Sequence, residues 1–495
     1  MVKKGYIKIN FTGGLISPGE LLKILKHAKD IWIGEVSFGL RQQLIIETGA
    51  ESYYLLLSLL RELNLSFEEN SDDHPNVVSS YPATETFANK TWVSEGVYKD
   101  IFDMLDYTPK LKINISDNNQ SLSPLFTGNI NWVASSSLHF WYLFIRFPKT
   151  NKIYEWKELV YTNDVVAVSK QIEETVFKHY DFFFDNVNAD GELLYEMMKS
   201  KQRFNTKPIE DSLKPISFRL PYYEGFNRYN NNYFWLGIYR RDEKFSVDFL
   251  IDLCELCLKT KVGQICSTPW KSLMIKGIED KDRVLWDEIL AKHMINVRHA
   301  ANELNFQVED QSKEALELKR YIVKHFNKDD IRTFAICFGI KTRTKSEVFS
   351  SILVRRKPLI RLGKYVLLYC YDVLCANDFN PNARTGFVFS KKNFKWQLPK
   401  KLRKAAEAFY AYKSEKAVAI EFKTEEKISS KENVSVFIHQ CPQCLSVYDP
   451  SLGDPEQNIA AGTSFEMIPD SYFCSLCEAS KSEFVIVDKV LLGGY

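Results

Sequence analysis

Apolar and polar residues follow the same order in two distant stretches of the chain, residues 6–49 and 235–278. Each stretch begins with alternating residues, continues with apolar residues at helical spacing and ends with a second alternating run. The pattern predicts strand, helix and strand in each stretch, and an offset of 229 residues superimposes the two. The matched pairs are Ile9 with Ile238, Ser17 with Ser246, Leu21 with Leu250, Gly34 with Gly263, Leu44 with Leu273 and Ile46 with Ile275.

The two predicted helices differ in detail. The first opens with Ser17 as N-cap and Glu20 three positions later, which predicts a capping box. The second carries Cys254 and Cys257 at positions where the first has apolar core residues. We therefore interpret this cysteine pair as core packing and not as a metal or redox site, because cysteine behaves as a small hydrophobe when buried.

The remaining pattern predicts mixed α/β regions between and after the two repeats. Residues 110–116 are predicted as a strand, and residues 286–304 as a helix. Residues 412–435 are polar and charged, with no strong helical period, and we interpret them as a tether to the C-terminal residues.

Charge and hydropathy argue against several classes of protein. Its 495 residues include 65 Lys and Arg against 63 Asp and Glu, a formal charge of +2, which argues against a protein dominated by nucleic-acid or membrane-surface binding. The N-terminal residues contain no apolar signal core, and no apolar run is long enough for a membrane span. We expect a soluble, cytoplasmic protein without nucleic-acid or membrane partners.

Four of the ten cysteines form two tight pairs near the C-terminus. Cys441 and Cys444 are separated by two residues, as are Cys474 and Cys477, with 29 residues between the pairs. Two such pairs can surround one tetrahedral metal ion, and four thiolates indicate zinc or iron. The spacing alone leaves the choice of metal open.

The segment between these pairs contains a distinctive set of aromatic, turn and acidic residues: Tyr448, Asp449, Pro450, Gly453, Asp454, Pro455, Gly462, Thr463, Ser464, Phe465, Pro469, Asp470 and Tyr472. With these residues the segment resembles the rubredoxin family. The resemblance implies one iron ion, held by Cys441, Cys444, Cys474 and Cys477, that cycles between the ferric and ferrous states. We expect an aromatic core of Tyr448, Phe465 and Tyr472 to shield the sulfurs from water.

The chain departs from the rubredoxin pattern at three positions. Leu445 and Glu478 replace glycines that commonly take positive φ, so we expect backbone strain or altered hydrogen bonds to sulfur there. Ser475 stands where proline is usual. A structural zinc ribbon is the alternative interpretation of this segment.

The repeated stretches resemble the ferredoxin-like half domains of sulfite and nitrite reductases, in which two halves flank a siroheme. The resemblance implies that Arg41 contacts a tetrapyrrole and that Lys110 and Lys112 contact the macrocycle and an anionic substrate. Within a strand, the two lysines would point to the same face. The residue pattern alone allows a second interpretation, in which Arg41, Lys110 and Lys112 are ordinary charges at the surface or at an interface.

The siroheme reductases hold a [4Fe–4S] cluster through four cysteines, in one pair spaced by five residues and another spaced by three, and this sequence lacks them. We therefore expect no such cluster and regard siroheme as doubtful. The leading hypothesis is an electron carrier with a reductase-like platform, whose redox partner is a siroheme reductase or an electron donor. The alternatives are a divergent siroheme-dependent nitrite or sulfite reductase and a zinc-ribbon interaction protein.

The predicted fold class is α+β, with two ferredoxin-like half-domain repeats, mixed α/β subdomains and a small C-terminal rubredoxin-like iron domain. The predicted boundaries are 1–68 for the first half domain, 69–225 for the first α/β subdomain, 226–300 for the second half domain, 301–411 for a degenerate second subdomain, 412–435 for the linker and 436–495 for the iron domain.

Overall fold

A computed structural model describes most of residues 5–488, and the chain divides into two compact units, Met1–Ala411 and Tyr412–Tyr495. No helix among the described residues is both long and apolar enough to cross a membrane. The residues outside the description are 1–4, 64, 72, 88–90, 151, 185, 187, 202, 215, 231, 344–346, 363–364, 384, 430–436, 444–445, 449, 451–452, 455–456, 458, 461, 476 and 489–495.

The first repeat forms an antiparallel sheet with helices. Ser17 is the N-cap of the first helix, but its side chain makes no capping hydrogen bond, so the capping box predicted between the described residues Ser17 and Glu20 is wrong. The elements are β1 (Gly5–Ile9), β2 (Leu15–Ile16), α1 (Pro18–Asp30), β3 (Glu35–Phe38), β4 (Leu44–Thr48), α2 (Ala50–Glu62) and β5 (Phe67–Glu69).

The region after the first repeat is a mixed α/β subdomain. Its elements are β6 (Val78–Ser79), α3 (Glu95–Asp103), β7 (Ile113–Ser116), β8 (Ile130–Ala134), β9 (Phe140–Arg146), β10 (Ile153–Glu155), β11 (Glu158–Tyr161), α4 (Val165–Lys178), α5 (Tyr180–Phe183), α6 (Gly191–Lys199) and β12 (Thr206–Pro208). Strands β6, β7 and β8 are parallel, whereas β9, β10, β11 and β12 pair in antiparallel fashion.

The second repeat reproduces the first. Its elements are β13 (Gly225–Asn230), β14 (Tyr233–Ile238), β15 (Phe245–Ser246), α7 (Val247–Lys259), β16 (Ile265–Ser267), β17 (Leu273–Glu279), α8 (Arg283–Lys292) and α9 (Ala301–Leu304). The offset of 229 residues carries both ends of α1 onto the ends of α7, which confirms the predicted repeat.

The two repeats exchange short strands. Strand β15 pairs with β3 of the first repeat, and β2 pairs with β16 of the second, so each five-stranded sheet contains one strand from the other repeat. Helices α1 and α7 contribute to one shared apolar core, which includes Cys254 and Cys257, both 0% exposed. Their burial supports the interpretation of this cysteine pair as core.

A second α/β subdomain completes the first unit, with β18 (Phe306–Val308), α10 (Lys313–Lys328), β19 (Phe338–Lys341), β20 (Ile352–Leu362), β21 (Tyr365–Ala376), β22 (Gly386–Asn393) and the beginning of α11 (Leu398–Ser429), as far as Ala411. Strands β18, β19 and β20 are parallel and β21 is antiparallel, which repeats the order of β6, β7, β8 and β9. Because α11 continues to Ser429, most of the predicted tether is helical.

The second unit contains a small antiparallel sheet. Its strands are β23 (Phe437–Gln440), β24 (Val447–Tyr448) and β25 (Val485–Asp488), with β23 in the centre. An apolar cluster of Tyr448, Phe465, Ile468 and Tyr472 forms the core of this unit.

Candidate functional site

Three of the four terminal cysteines come together in the second unit. Cys441 follows strand β23, and the sulfurs of Cys441, Cys474 and Cys477 all lie within 4.8 Å of one another. The sulfurs of Cys441 and Cys477 are 3.5 Å apart. Cys444, the fourth predicted ligand, lies outside the described residues. Among the residues described, this is the one group of three or more potential ligands close enough to hold a metal ion.

The geometry of these sulfurs fits a tetrahedral metal ion. Metal–sulfur bonds of about 2.3 Å place neighbouring sulfurs about 3.8 Å apart, close to the separation of Cys441 and Cys477. Cys441 is 0% exposed and Cys474 is 2% exposed, so water reaches neither sulfur freely. A sheltered group of thiolates suits zinc or iron.

Each pair of cysteines is closed by the same backbone hydrogen bond. The N–H of Cys441 donates to the carbonyl of Ser446 at 2.8 Å, and the N–H of Cys474 donates to the carbonyl of Ala479 at 2.8 Å. An offset of 33 residues carries the first pair onto the second and Ser446 onto Ala479. The two loops are therefore related by an approximate internal symmetry.

The predicted aromatic core is confirmed. The rings of Tyr448 and Phe465 lie 5.6 Å apart, and Tyr472 lies within 6.2 Å of both. The hydroxyl of Tyr472 donates to Asp454 at 3.0 Å. Burial, the larger cause, and this hydrogen bond raise the pKa of Tyr472 above its usual range. The phenol therefore remains a neutral donor to Asp454 at physiological pH.

Two of the departures from the rubredoxin pattern lie among the described residues. Glu478 has a φ of 61°, which confirms the expected left-handed backbone where glycine is usual. The hydroxyl of Ser475 donates to the buried Asp454 at 2.5 Å. This hydrogen bond connects the second cysteine loop to the interior of the second unit. Leu445 lies outside the described residues.

The six cysteines of the first unit are all buried. Burial raises the pKa of the thiols of Cys254, Cys337 and Cys375 to about 12. The sulfur of Cys337 accepts the N–H of Ser351 at 3.1 Å. Among the described residues, none of these three cysteines lies in a group of three or more potential metal ligands, so we assign them to packing in the first unit.

Arg41 is buried in the first unit, where it joins the first repeat to the following subdomain. Its guanidinium donates twice to the carbonyl of Asn76, at 3.0 and 2.6 Å, and once to that of Ile113 at 3.0 Å. It also contacts Glu347 at 3.3 Å. Most of its hydrogen-bonding capacity is thus directed to the protein itself.

The two predicted lysines lie in different environments. Lys112 forms an ion pair with Glu347, the residue that also contacts Arg41. Lys110 is exposed, and its ammonium group lies 5.9 Å from the ring centroid of Phe177 on α4. Both lysines precede β7, which begins at Ile113, so the expected alternation along one strand does not apply to them.

Arg41 and Lys112 line one cavity, of about 590 Å³, between the first repeat and the two subdomains, whereas Lys110 does not. Four basic and four acidic side chains line it, so its formal charge is balanced. The charged lining residues are Lys8, Arg41, Asp73, Lys112, Glu309, Asp310, Arg343 and Glu347.

Two contacts of these sites escape sequence reasoning. Glu347 lies 306 residues from Arg41 in the chain, and no local pattern predicts that they meet. Ser446 lies in the first cysteine loop, and its hydroxyl oxygen is 3.0 Å from the sulfur of Cys474. The sequence signal that could have pointed to Ser446 is its position just after the first cysteine pair.

Two known folds account for the two parts of this chain, and the first is shown by a solved structure. The solved structure of the Mycobacterium tuberculosis NirA protein matches with a TM-score of 0.60 and 15% identity, covering 80% of each chain. At this identity the likeness shows the fold alone. Both parts of the predicted fold class are therefore confirmed.

The cysteine module defines the family. The rubredoxin family model matches residues 438–484. Rubredoxin-2 of Chlorobaculum tepidum is 53% identical over 45 residues, which cover 9% of this chain and 86% of that protein. The high molecular weight rubredoxin of Moorella thermoacetica is 48% identical over 46 residues, 9% of this chain and 20% of that protein. Through this C-terminal segment, the chain belongs to the rubredoxin family.

Proposed function

We propose that the C-terminal module binds one iron ion through Cys441, Cys444, Cys474 and Cys477 and carries one electron. The observation that carries this proposal is the convergence of three cysteine sulfurs in a sheltered site within the rubredoxin segment. When bound, the iron alternates between ferric and ferrous states. The protein supplies thiolates, excludes water and restrains the loops, which keeps the rearrangement on electron transfer small.

The surroundings of the sulfurs support iron over a structural zinc ion. Tyr448, Phe465 and Tyr472 pack into one core beside the cysteine loops. The rubredoxin likeness extends over both loops and the residues between them. A structural zinc site would require only the four sulfurs. It would not explain why the residues between the two cysteine pairs also match the rubredoxin family.

The reductase-like part serves, in this proposal, as a platform that brings the iron module to a redox partner protein. Arg41 directs its donors to backbone carbonyls, and Lys112 is paired with Glu347. Cys337, Cys370 and Cys375 do not have the spacing that the cluster of siroheme reductases requires. These features favour docking over multi-electron reduction.

A second candidate function rests on the NirA-like fold and on the cavity that Arg41 and Lys112 line. In this candidate the chain is a divergent siroheme-dependent nitrite or sulfite reductase that receives electrons from its own iron module. This second candidate function, unlike the electron-carrier function, requires a bound tetrapyrrole and turnover of nitrite or sulfite.

Electron delivery to an external acceptor tests the first proposal. The full-length protein is reduced with dithionite, freed of excess reductant and mixed with oxidised cytochrome c as probe. We expect one electron per chain to pass from ferrous iron to the ferric haem, and none from the Cys474→Ser variant. Cys254→Ala is the control, because Cys254 lies in the core of the first unit. An iron-loaded wild type that delivers no electron would contradict the proposal.

A further inference from the structure

Ser446 contacts both pairs of cysteines. Its carbonyl accepts the N–H of Cys441 at 2.8 Å, and its hydroxyl oxygen lies 3.0 Å from the sulfur of Cys474. The side chain is half-buried, so water competes only partly for the hydroxyl. One serine thus connects the first cysteine loop to a sulfur of the second.

The second loop offers an internal comparison. Ala479 occupies the position equivalent to Ser446, and its carbonyl makes the equivalent bond to the N–H of Cys474 at 2.8 Å. Its methyl group packs in a cluster with the sulfur-bearing side chains of Cys441 and Cys474. The backbone bond is therefore common to both loops, whereas the hydroxyl contact belongs to the first loop alone.

We infer that the Ser446 hydroxyl donates a hydrogen bond to the Cys474 thiolate and raises the reduction potential of the centre, an inference that rests on the proposed iron site. A metal-bound cysteine has lost its proton, so only the serine can donate in this contact. The sulfur carries more negative charge when the centre is reduced, and the hydrogen bond is then stronger. Hydrogen bonds to the sulfurs are among the factors that set the potentials of such centres.

The role of Ser446 is one of positioning and tuning, because its side chain touches a ligand and not the metal. No proton moves and no bond to Ser446 breaks; the hydroxyl supplies a partial positive charge beside one sulfur. Removing the hydroxyl should leave the four thiolates and the backbone bond to Cys441 in place. The expected change is therefore in the potential and not in the iron content.

The reduction potentials of iron-loaded full-length variants test the inference. In Ser446→Ala, we expect the ratio of reduced to oxidised centre at a fixed solution potential to fall about tenfold, equivalent to a shift of about 59 mV for a one-electron couple. Ser446→Thr retains the hydroxyl and should restore most of the ratio. Ser482→Ala is the control, since the Ser482 hydroxyl contacts Ser480 at 2.9 Å and no sulfur.

A gain-of-function variant tests the same idea in the other loop. Ala479→Ser places a hydroxyl at the position equivalent to Ser446, and we expect a higher potential than in the wild type. An unchanged potential in iron-loaded Ser446→Ala would overturn the inference while leaving the proposed function intact. Failure of the wild type to bind iron would overturn the proposed function itself.

Discussion

Gln42 and Lys271 occupy equivalent turns of the two repeats, and both have positive φ angles, 64° and 56°. Their backbones match although their side chains differ. The Gln42 amide is bonded to the backbone of Ser79 and Ser267, whereas the Lys271 ammonium group binds Glu243 at 2.7 Å. The two repeats therefore share a backbone frame but place different chemistry at the same turn.

Replacing Lys271 should destabilise the first unit. The Lys271→Met variant removes the buried cation that lies 2.7 Å from Glu243 and 3.3 Å from Asp310. Glu243 then retains the more distant Lys319, at 4.0 Å. We expect a loss of about 3–5 kcal/mol in the free energy of unfolding, measured by chemical denaturation. Lys281→Met is the control, because Lys281 pairs with Glu279 at the surface and should contribute little. Equal losses in the two variants would contradict this expectation.

The ion pair between Glu95 and Lys276 should make stability depend on pH. Burial alone would raise the pKa of Glu95, but the charge and hydrogen bond of Lys276, with hydrogen bonds from Gln264 and Tyr81, lower it to about 2. A folded-state pKa below the unfolded value of 4.5 means that the stabilisation is full above about pH 4.5 and is lost as the pH falls towards 2.

The Glu95→Gln variant checks this dependence. We expect it to be less stable than the wild type at neutral pH, with a difference in unfolding free energy that shrinks as the pH falls from 5 to about 2. The control is Glu62→Gln, at an exposed position near the end of α2. A difference that stays constant over this pH range would refute the assigned pKa shift.

The left-handed backbone of Glu478 predicts that glycine is more stable there. At a φ of 61°, the Cβ atom of Glu478 lies too close to the backbone, and Glu478→Gly removes that contact. We expect the free energy of unfolding of the C-terminal module to rise by about 1 kcal/mol. Glu466→Gly, in a short 3-10 turn, is the control and should lose stability. The thermal midpoint of iron release measures both, and a lower midpoint for Glu478→Gly would argue against strain.

Loss of a single cysteine ligand should prevent normal iron binding. In Cys441→Ser, a hydroxyl replaces one thiolate at a fully buried position, and we expect less than one iron per chain and no ferric–thiolate absorption. Cys254→Ala should keep its iron, since Cys254 packs between the two repeats. Full iron content and an unchanged spectrum in Cys441→Ser would exclude this residue as a ligand.

The local elements of the repeats were predictable because apolar spacing determines them. Helices α1 and α7 follow from their buried faces alone. The predicted helix over residues 286–304 is wrong in its middle: α8 ends at Lys292, and Met294 takes a φ of 50°. No glycine or proline lies at this break. The helix ends where Met294 takes a left-handed backbone conformation, which the sequence does not signal.

The site was predictable only where its residues are close in sequence. Cys441, Cys474 and Cys477 belong to a dense motif whose spacing and turns determine their meeting. The contacts of Arg41 with Asn76 and Glu347 depend on how separate domains pack, which residue spacing does not encode. Lys110 and Lys112 were assigned to a strand predicted to begin at residue 110, whereas the observed strand begins three residues later, at Ile113.

The most direct test of the account is the absorption spectrum of purified full-length protein, with iron and zinc content, before and after reduction by dithionite. We predict one iron per chain and ferric–thiolate bands that bleach on reduction, with no Soret band. Zinc in place of iron and no visible bands would contradict the electron-transfer function. A Soret band beside the iron bands would instead favour the siroheme-dependent reductase.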